Sequence, residues 1–131
     1  EALHGETKPE RRVSQQAIFS ARKEILGLYM ADAVEEYLVQ LVMATRTPAK
    51  FDPEMAEWIA YGASPRGSIA LDRCARAHAW LAGRDFVSPE DIQAVLFDVL
   101  RHRIILSFEA EAGGIDQDRV VHRILDVVAV A

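Results

Sequence analysis

Residues 61–107 read YGASPRGSIALDRCARAHAWLAGRDFVSPEDIQAVLFDVLRHRIILS, and this stretch decides the fold. Ser64 and Ser88 are each followed by a proline, and each pair predicts the start of a helix. A serine side chain can accept a hydrogen bond from the free N–H groups of a first helical turn. A proline in the first helical position forfeits no bond, because that N–H would have no partner. Gly83, between the two helices, predicts a left-handed stop, which glycine adopts without strain.

Each of these two helices should bury one apolar side. The helix after Ser64 is expected to bury Ile69, Ala70, Cys74, Ala77, Trp80 and Leu81. The helix after Ser88 is expected to bury Ile92, Val95, Leu96, Val99 and Leu100, and to continue into Ile104 or beyond. Glu90 and Asp91 place negative charge at the positive end of its dipole. Cys74 is interpreted as a small core residue rather than as a nucleophile paired with His78, one turn away.

Periodicity and capping residues predict four further helices outside this stretch. The first starts at Ser14 and carries Ile18, Ala21, Ile25 and Leu28 at helical spacing. The second begins near Asp32, ends before Pro48, and carries a stripe of Val34, Tyr37, Leu38, Leu41, Val42 and Thr45. A short third helix over residues 51–60 is capped by Asp52 and ended by Gly62. The last helix starts at Asp116 and buries Val120, Val121, Ile124, Leu125 and Val128.

These elements predict an all-α fold, a compact bundle of about six short helices with no convincing strand. Residues 14–131 are expected to form one domain, with residues 1–13 as a linker remnant. Trp58 and Trp80 are expected to anchor the core; an exposed tryptophan would instead mark an interface.

Composition limits the function classes that fit. The net charge of −5 argues against a nucleic-acid-binding domain, which usually carries a basic face. The longest apolar runs, such as residues 104–106, fall far short of the about 18 residues that indicate a membrane span. Cys74 is the single cysteine, which excludes an intrachain disulfide and favours the cytoplasm.

Motifs for catalysis are absent from the sequence. A phosphate-binding loop needs Gly-Lys-Ser/Thr, and the three lysines, Lys8, Lys23 and Lys50, follow threonine, arginine and alanine. No metal site is expected either, because no histidines form a His-Glu-x-x-His pattern and one cysteine cannot build a zinc knuckle. The histidines, read as ordinary side chains, are His4, His78, His102 and His122.

Arg66 lies in the predicted first turn of the helix after Ser64 and is the main candidate for a binding residue. Helix N-termini are natural anion sites, and a guanidinium adds a forked set of donors that suits phosphate oxygens. The alternative is a well-capped helix with a solvated arginine. The cluster Arg101–His102–Arg103 is a second candidate, either for a subunit contact or for solvated side chains and ordinary ion pairs.

The motifs and their order resemble the C-terminal lid domain of the MoxR family of AAA+ ATPases. The resemblance is carried by Gly-Ala-Ser-Pro-Arg at 62–66, Gly-Arg-Asp at 83–85, Val-Ser-Pro-Glu-Asp-Ile at 87–92, Val-Leu-Arg-His-Arg at 99–103 and Ala-Thr-Arg at 44–46. Residues 121–130 look like the family's closing helix and apolar tail, so the match covers about residues 14–130. Gly67 departs from the family, which more often has alanine, and predicts a first turn looser by up to about 1 kcal/mol. The tail also lacks an expected proline.

The resemblance implies a function and a role for Arg66. In such ATPases the lid supplies a sensor arginine, matched by Arg66, that contacts the γ-phosphate of ATP; Ser64 and Pro65 shape its turn. ATP and its Mg²⁺ would be held by an upstream α/β domain that this chain lacks, so this chain alone is not expected to hydrolyse ATP. The parent would form a homo-oligomeric ring, act as a chaperone-like assembly or activation factor for client complexes, and partner with von Willebrand factor A domain proteins. The alternative is a stand-alone helical module that binds a protein partner.

Overall fold

The computed structural model describes residues 7–130 and shows a helical bundle with one small sheet. Its seven helices are α1 (Gln15–Leu26), α2 (Asp32–Arg46), α3 (Pro53–Trp58), α4 (Pro65–Leu81), α5 (Pro89–Leu100), α6 (Phe108–Ala112) and α7 (Gln117–Val127). Its strands are β1 (Ile59–Tyr61) and β2 (Ile105–Leu106), and two short 3₁₀ turns are Pro48–Lys50 and Arg101–Arg103. The all-α prediction is confirmed. Residues 1–13 were predicted to be a linker, and the first six of them lie outside the described residues.

The predicted helix starts are confirmed where a polar side chain reaches the first turn. The side chain of Ser14 accepts from the N–H of Ala17 at 3.0 Å, and Asp116 accepts from the N–H of Arg119 at 2.8 Å. Gly83 has φ +82°, the left-handed stop expected after α4. Asp32 is not a cap, because it is already the first residue of α2.

Residues of α2 and α7 fill the centre of the bundle, as the apolar stripes predicted. Six residues of the α2 stripe are buried, namely Val34, Tyr37, Leu38, Leu41, Val42 and Thr45. Helix α7 buries Val120, Val121 and Ile124, with Val128 just beyond its end, whereas Leu125 is partly buried. Trp58 is buried, and Trp80 is partly buried against the core.

The predicted buried side of α4 is wrong. Cys74 is exposed, and Ile69 and Leu81 are 54% and 78% exposed, while Ala70, Ala77 and Trp80 are only partly buried. The fully buried side instead consists of small and medium residues four apart, namely Gly67, Leu71, Ala75 and Ala79. Small side chains let two helices approach closely, and this side of α4 packs against α5.

Helix α1 also differs from its prediction. It contains no fully buried residue; Ile18 is 49% exposed, and Ala21 and Ile25 are partly buried. Only Leu28, beyond the end of the helix, reaches the core. Helix α1 lies along α4, where the indole N–H of Trp80 donates to Glu24 at 2.9 Å.

Two short strands lie where the sequence analysis predicted the last turns of helices. Helix α3 ends at Trp58 rather than at Ala60, and α5 ends at Leu100 rather than at Ile104. The residues that follow form the antiparallel pair β1–β2, in which Ile59 lies opposite Leu106. Strands of two or three residues are too short to show alternation, so the pattern could not reveal them. The short helix α6 was also missed.

The carboxylate of Asp91 is fully buried and ties α4 to α5. It accepts from the backbone N–H of Ser88 at 2.8 Å and from the Ser88 hydroxyl at 3.0 Å. Nδ1 of His78, on α4, lies 2.7 Å away, and the Arg84 guanidinium donates from the connecting turn. Burial alone would raise the pKa of Asp91, but Ser88, His78 and Arg84 together hold it below its ordinary value.

We predict that Asp91→Asn lowers the free energy of unfolding by about 3 kcal/mol at pH 7, because it removes one partner of a buried ion pair. The matched control is Asp98→Asn, an exposed carboxylate on the same helix, which should change little. Denaturant melts measure both changes.

The same variant has a predicted pH signature. Because the folded pKa of Asp91 is lowered, its ionisation stabilises the fold above the ordinary aspartate pKa of 3.8, and this contribution is lost as the pH falls further. The difference in the free energy of unfolding between the parent and Asp91→Asn should therefore shrink as the pH decreases from about 4. A difference that stays constant down to pH 2 would contradict the assignment.

Candidate functional site

Arg66 is the second residue of α4 and is exposed. The Ser64 side chain accepts from its N–H at 3.2 Å, and Pro65 occupies the first helical position. Within residues 7–130, no carboxylate lies within ion-pair distance of the Arg66 guanidinium. The first turn of α4 therefore presents an uncompensated cation at the positive end of a helix dipole, an arrangement that favours an anion.

The turn that carries Arg66 is fastened to the end of α2 by Thr45. The buried Thr45 hydroxyl donates to the carbonyl of Val42 at 2.7 Å and accepts from the N–H of Ala63 at 2.9 Å. Both ends of the hydroxyl dipole are thus satisfied inside the protein, as a buried polar group requires. The sequence prediction placed Thr45 in an apolar stripe and missed its bond to Ala63. A single hydroxyl in an otherwise apolar stripe was the signal that could have indicated such a bond.

Gly62 allows the same two segments to meet. A Cβ at this position would lie 2.0 Å from the carbonyl oxygen of Thr45 and 2.7 Å from the backbone nitrogen of Arg46. No side chain fits between backbones this close. Gly62 therefore serves the approach of the turn to α2, and the prediction that it ends α3 is wrong because β1 intervenes.

The Arg101–His102–Arg103 cluster separates into two environments. Arg101 pairs with Asp118 at 2.6 Å and with Asp98 at 3.1 Å, and the Asp118 bond in particular raises the pKa of Arg101. These are the ordinary ion pairs that one interpretation expected. His102 is exposed.

Arg103 instead reaches the start of α4. Its Nε donates to the carbonyl of Val99 at 3.0 Å, and its Cδ lies 3.6 Å from where a Cβ on Gly67 would stand. The same Cβ would lie 3.0 Å from that of Ala63. Gly67, a buried position, thus leaves space for Ala63, and the Arg103 stem packs beside it at an ordinary distance.

Residues other than arginine add little chemistry to this region. Among the residues that the structure describes, no three histidine, cysteine, aspartate or glutamate side chains gather where they could hold a metal ion. His78 serves the Asp91 network rather than the exposed thiol of Cys74. His4 lies outside the described part of the chain. No helix in residues 7–130 is both long and apolar enough to cross a membrane.

A family model of the AAA lid domain matches residues 52–124, which include the Arg66 turn and Arg103. The chain therefore belongs to the AAA lid domain family. A solved structure of a putative ATPase from Cytophaga hutchinsonii superposes on this lid with a TM-score of 0.87 and 43% identity, over 91% of this chain and 36% of that one.

The curated relatives of this lid include proteins named MoxR. Chaperone MoxR1 of Mycobacterium tuberculosis is 40% identical over 102 residues, which are 77% of this chain and 27% of that protein. Protein MoxR of Paracoccus denitrificans is 43% identical over 86 residues, 62% of this chain and 25% of that protein. The lid is thus of the MoxR type, and it spans about a quarter of these relatives.

We predict that Thr45→Val exposes the Ala63 amide to solvent exchange and lowers the free energy of unfolding by about 1–3 kcal/mol, because a buried N–H loses its acceptor. Thr45→Ser, the control, keeps the hydroxyl and should keep this amide protected, although it also loses a buried methyl group. Amide hydrogen exchange followed by NMR separates the two variants. Equal protection of Ala63 in both would show that the hydroxyl does not hold the turn.

We predict that Gly62→Ala lowers the free energy of unfolding by about 3 kcal/mol or more, because a Cβ must push two backbones apart. Gly27→Ala is the matched control, since a Cβ there would meet its nearest atoms at an ordinary 3.6 Å. This control should remain within about 1 kcal/mol of the parent in denaturant melts. Similar stabilities of the two variants would disprove the close contact.

Proposed function

We propose that this domain is the lid of a MoxR-type ATPase, in which Arg66 contacts the γ-phosphate of ATP. One observation carries the proposal: an unpaired arginine at a capped helix start, on a turn fastened to the domain, in a chain that belongs to the AAA lid family. A charge-assisted hydrogen bond from Arg66 to a phosphate oxygen would be strong, because donor and acceptor are both ionised.

The turn's attachment gives this contact a mechanical consequence. Thr45 and Gly62 join the Arg66 turn to α2, so a force on Arg66 acts on two helices at once. When hydrolysis removes the γ-phosphate, Arg66 loses its partner and the lid can take another position relative to the nucleotide. The lid would in this way report the nucleotide state to the rest of the protein.

The remaining features of the proposal concern the parent protein. ATP and its Mg²⁺ would be held mainly by an upstream α/β domain, the lid's first partner, and the parent would hydrolyse ATP as a homo-oligomeric ring. We propose a chaperone-like role in assembling or activating client complexes, as the name Chaperone MoxR1 suggests for that relative. Proteins with von Willebrand factor A domains are the proposed partners. The exposed free thiol of Cys74 fits a reducing cytoplasm.

A second candidate function is a helical module that only binds a protein partner. Exposed apolar side chains on α1 and just before it favour this alternative. These side chains are Val13, Ile18, Phe19 and Leu26. It predicts no dependence on nucleotide. Calorimetry with ATP on the full-length protein therefore separates the two functions.

We predict that Arg66→Ala lowers ATP turnover of the full-length protein about 10- to 100-fold, the loss expected for one charge-assisted contact in the transition state. Arg73→Ala is the matched control, an exposed arginine on the same helix, and should leave turnover within about two-fold of the parent. Both variants should melt as the parent does. Full turnover by Arg66→Ala would refute the sensor role.

A further inference from the structure

We infer that Arg103 is a second phosphate-binding arginine, which acts beside Arg66 on the polyphosphate of the nucleotide. The inference rests on the proposed function, because it adds a residue to the same site. Arg66 and Arg103 are 37 positions apart in sequence, and the fold brings the stem of Arg103 to the first turn of α4, which carries Arg66.

The placement of Arg103 follows from its contacts. Its Nε is bound to the carbonyl of Val99 and its stem lies against Gly67, the third residue of α4. The terminal nitrogens of Arg103 make no hydrogen bond to any residue in the described range 7–130, and they are not among its buried unpaired atoms. The guanidinium thus keeps one edge for the protein and offers the other to a ligand.

Charge makes this placement unusual. Four other arginines of the described residues pair with carboxylates, namely Arg76, Arg84, Arg101 and Arg123. Within that range Arg103 has no such partner, although it is only partly exposed. Arginines such as Arg22 and Arg73 are also unpaired, but they are exposed and solvated.

The helix dipole sharpens the contrast. Arg46 ends α2, where the negative end of the dipole favours a cation. Arg66 stands at the opposite kind of end, where a cation is disfavoured. The dipole repels a guanidinium at a helix N-terminus, and a bound polyanion removes that penalty. The Arg103 stem lies beside the same first turn, at Gly67.

Arg103 is also held in advance of binding. A free arginine loses rotamer entropy when it orders around a ligand, but the Val99 bond and the Gly67 contact have already restricted this side chain. A Cβ at Gly67 would lie 3.6 Å from the Cδ of Arg103, an ordinary contact distance, so the stem packs beside this position.

The alternative is that Arg103 only caps the end of α5, since basic side chains often bind the last carbonyls of a helix. Isothermal calorimetry with ATP on the full-length protein distinguishes the roles. The variants are Arg103→Gln, Arg103→Lys and, as the matched control, Arg101→Gln, which removes an arginine two positions away that pairs with acids.

We expect Arg103→Gln to raise the Kd for ATP about ten-fold, and Arg103→Lys, which keeps the charge, to recover part of this loss. Arg101→Gln should stay within about two-fold of the parent. Melting curves without nucleotide record any structural cost of each variant.

Three outcomes would overturn the inference. If Arg103→Gln binds ATP like Arg101→Gln while Arg66→Ala still lowers turnover, Arg103 has no ligand role and the proposed function stands. If neither Arg66 nor Arg103 affects ATP binding or turnover, the role of Arg103 and the proposed function are both wrong. If Arg103→Gln and Arg103→Lys lose equal affinity and melt lower without nucleotide, Arg103 only caps α5. A loss of affinity in Arg103→Gln alone, with Arg66→Ala at full turnover, would support Arg103 and refute Arg66 as the sensor.

Discussion

The hydroxyl of Thr45 is a polar group inside an apolar helix face, and a buried polar group must find its partners within the protein. It finds one in its own helix and the other in the N–H of Ala63, 18 positions later. Gly62 makes this reach possible, since the backbones touch where a side chain would otherwise stand. Ser64 and Pro65 decide where along the chain α4 begins, and α2 decides where that start, and with it Arg66, lies in the fold.

The other end of α4 is held by a second buried polar group. Asp91 receives donors from α4, from the turn after it and from the first turn of α5. Small residues between these two attachments let α4 lie close to α5 along its length. A helix fixed at both ends and packed along one side can hold an exposed arginine in a constant place, which a phosphate contact requires.

Local chemistry was predictable from the sequence, and contacts between distant segments were not. Helix starts such as Ser64 depend on neighbours a few positions away, so pattern reading found them. The buried side of α4 depends on which partner packs there, and large apolar residues such as Leu81 misled the prediction toward the exposed side. The strand pair β1–β2 joins segments more than 40 positions apart and left no local pattern. The proposed role of Arg66 comes from its motif, whereas the difference between Arg101 and Arg103 depends on tertiary contacts alone.

Magnitudes decide how the proposed sensor can act. A hydrogen bond to a charged group contributes about 1.5–3 kcal/mol, which is the most that loss of one phosphate contact could release at Arg66. Breaking the buried Asp91 pair would cost about 3–5 kcal/mol, and stripping the Ala63 amide of its acceptor about 1–3 kcal/mol more. The proposed nucleotide contact would therefore be too weak to rearrange the interior around α4. On this proposal, the energy of the contact would move the lid as a unit about connections outside the bundle, because the interior is too stable for so small an energy to rearrange.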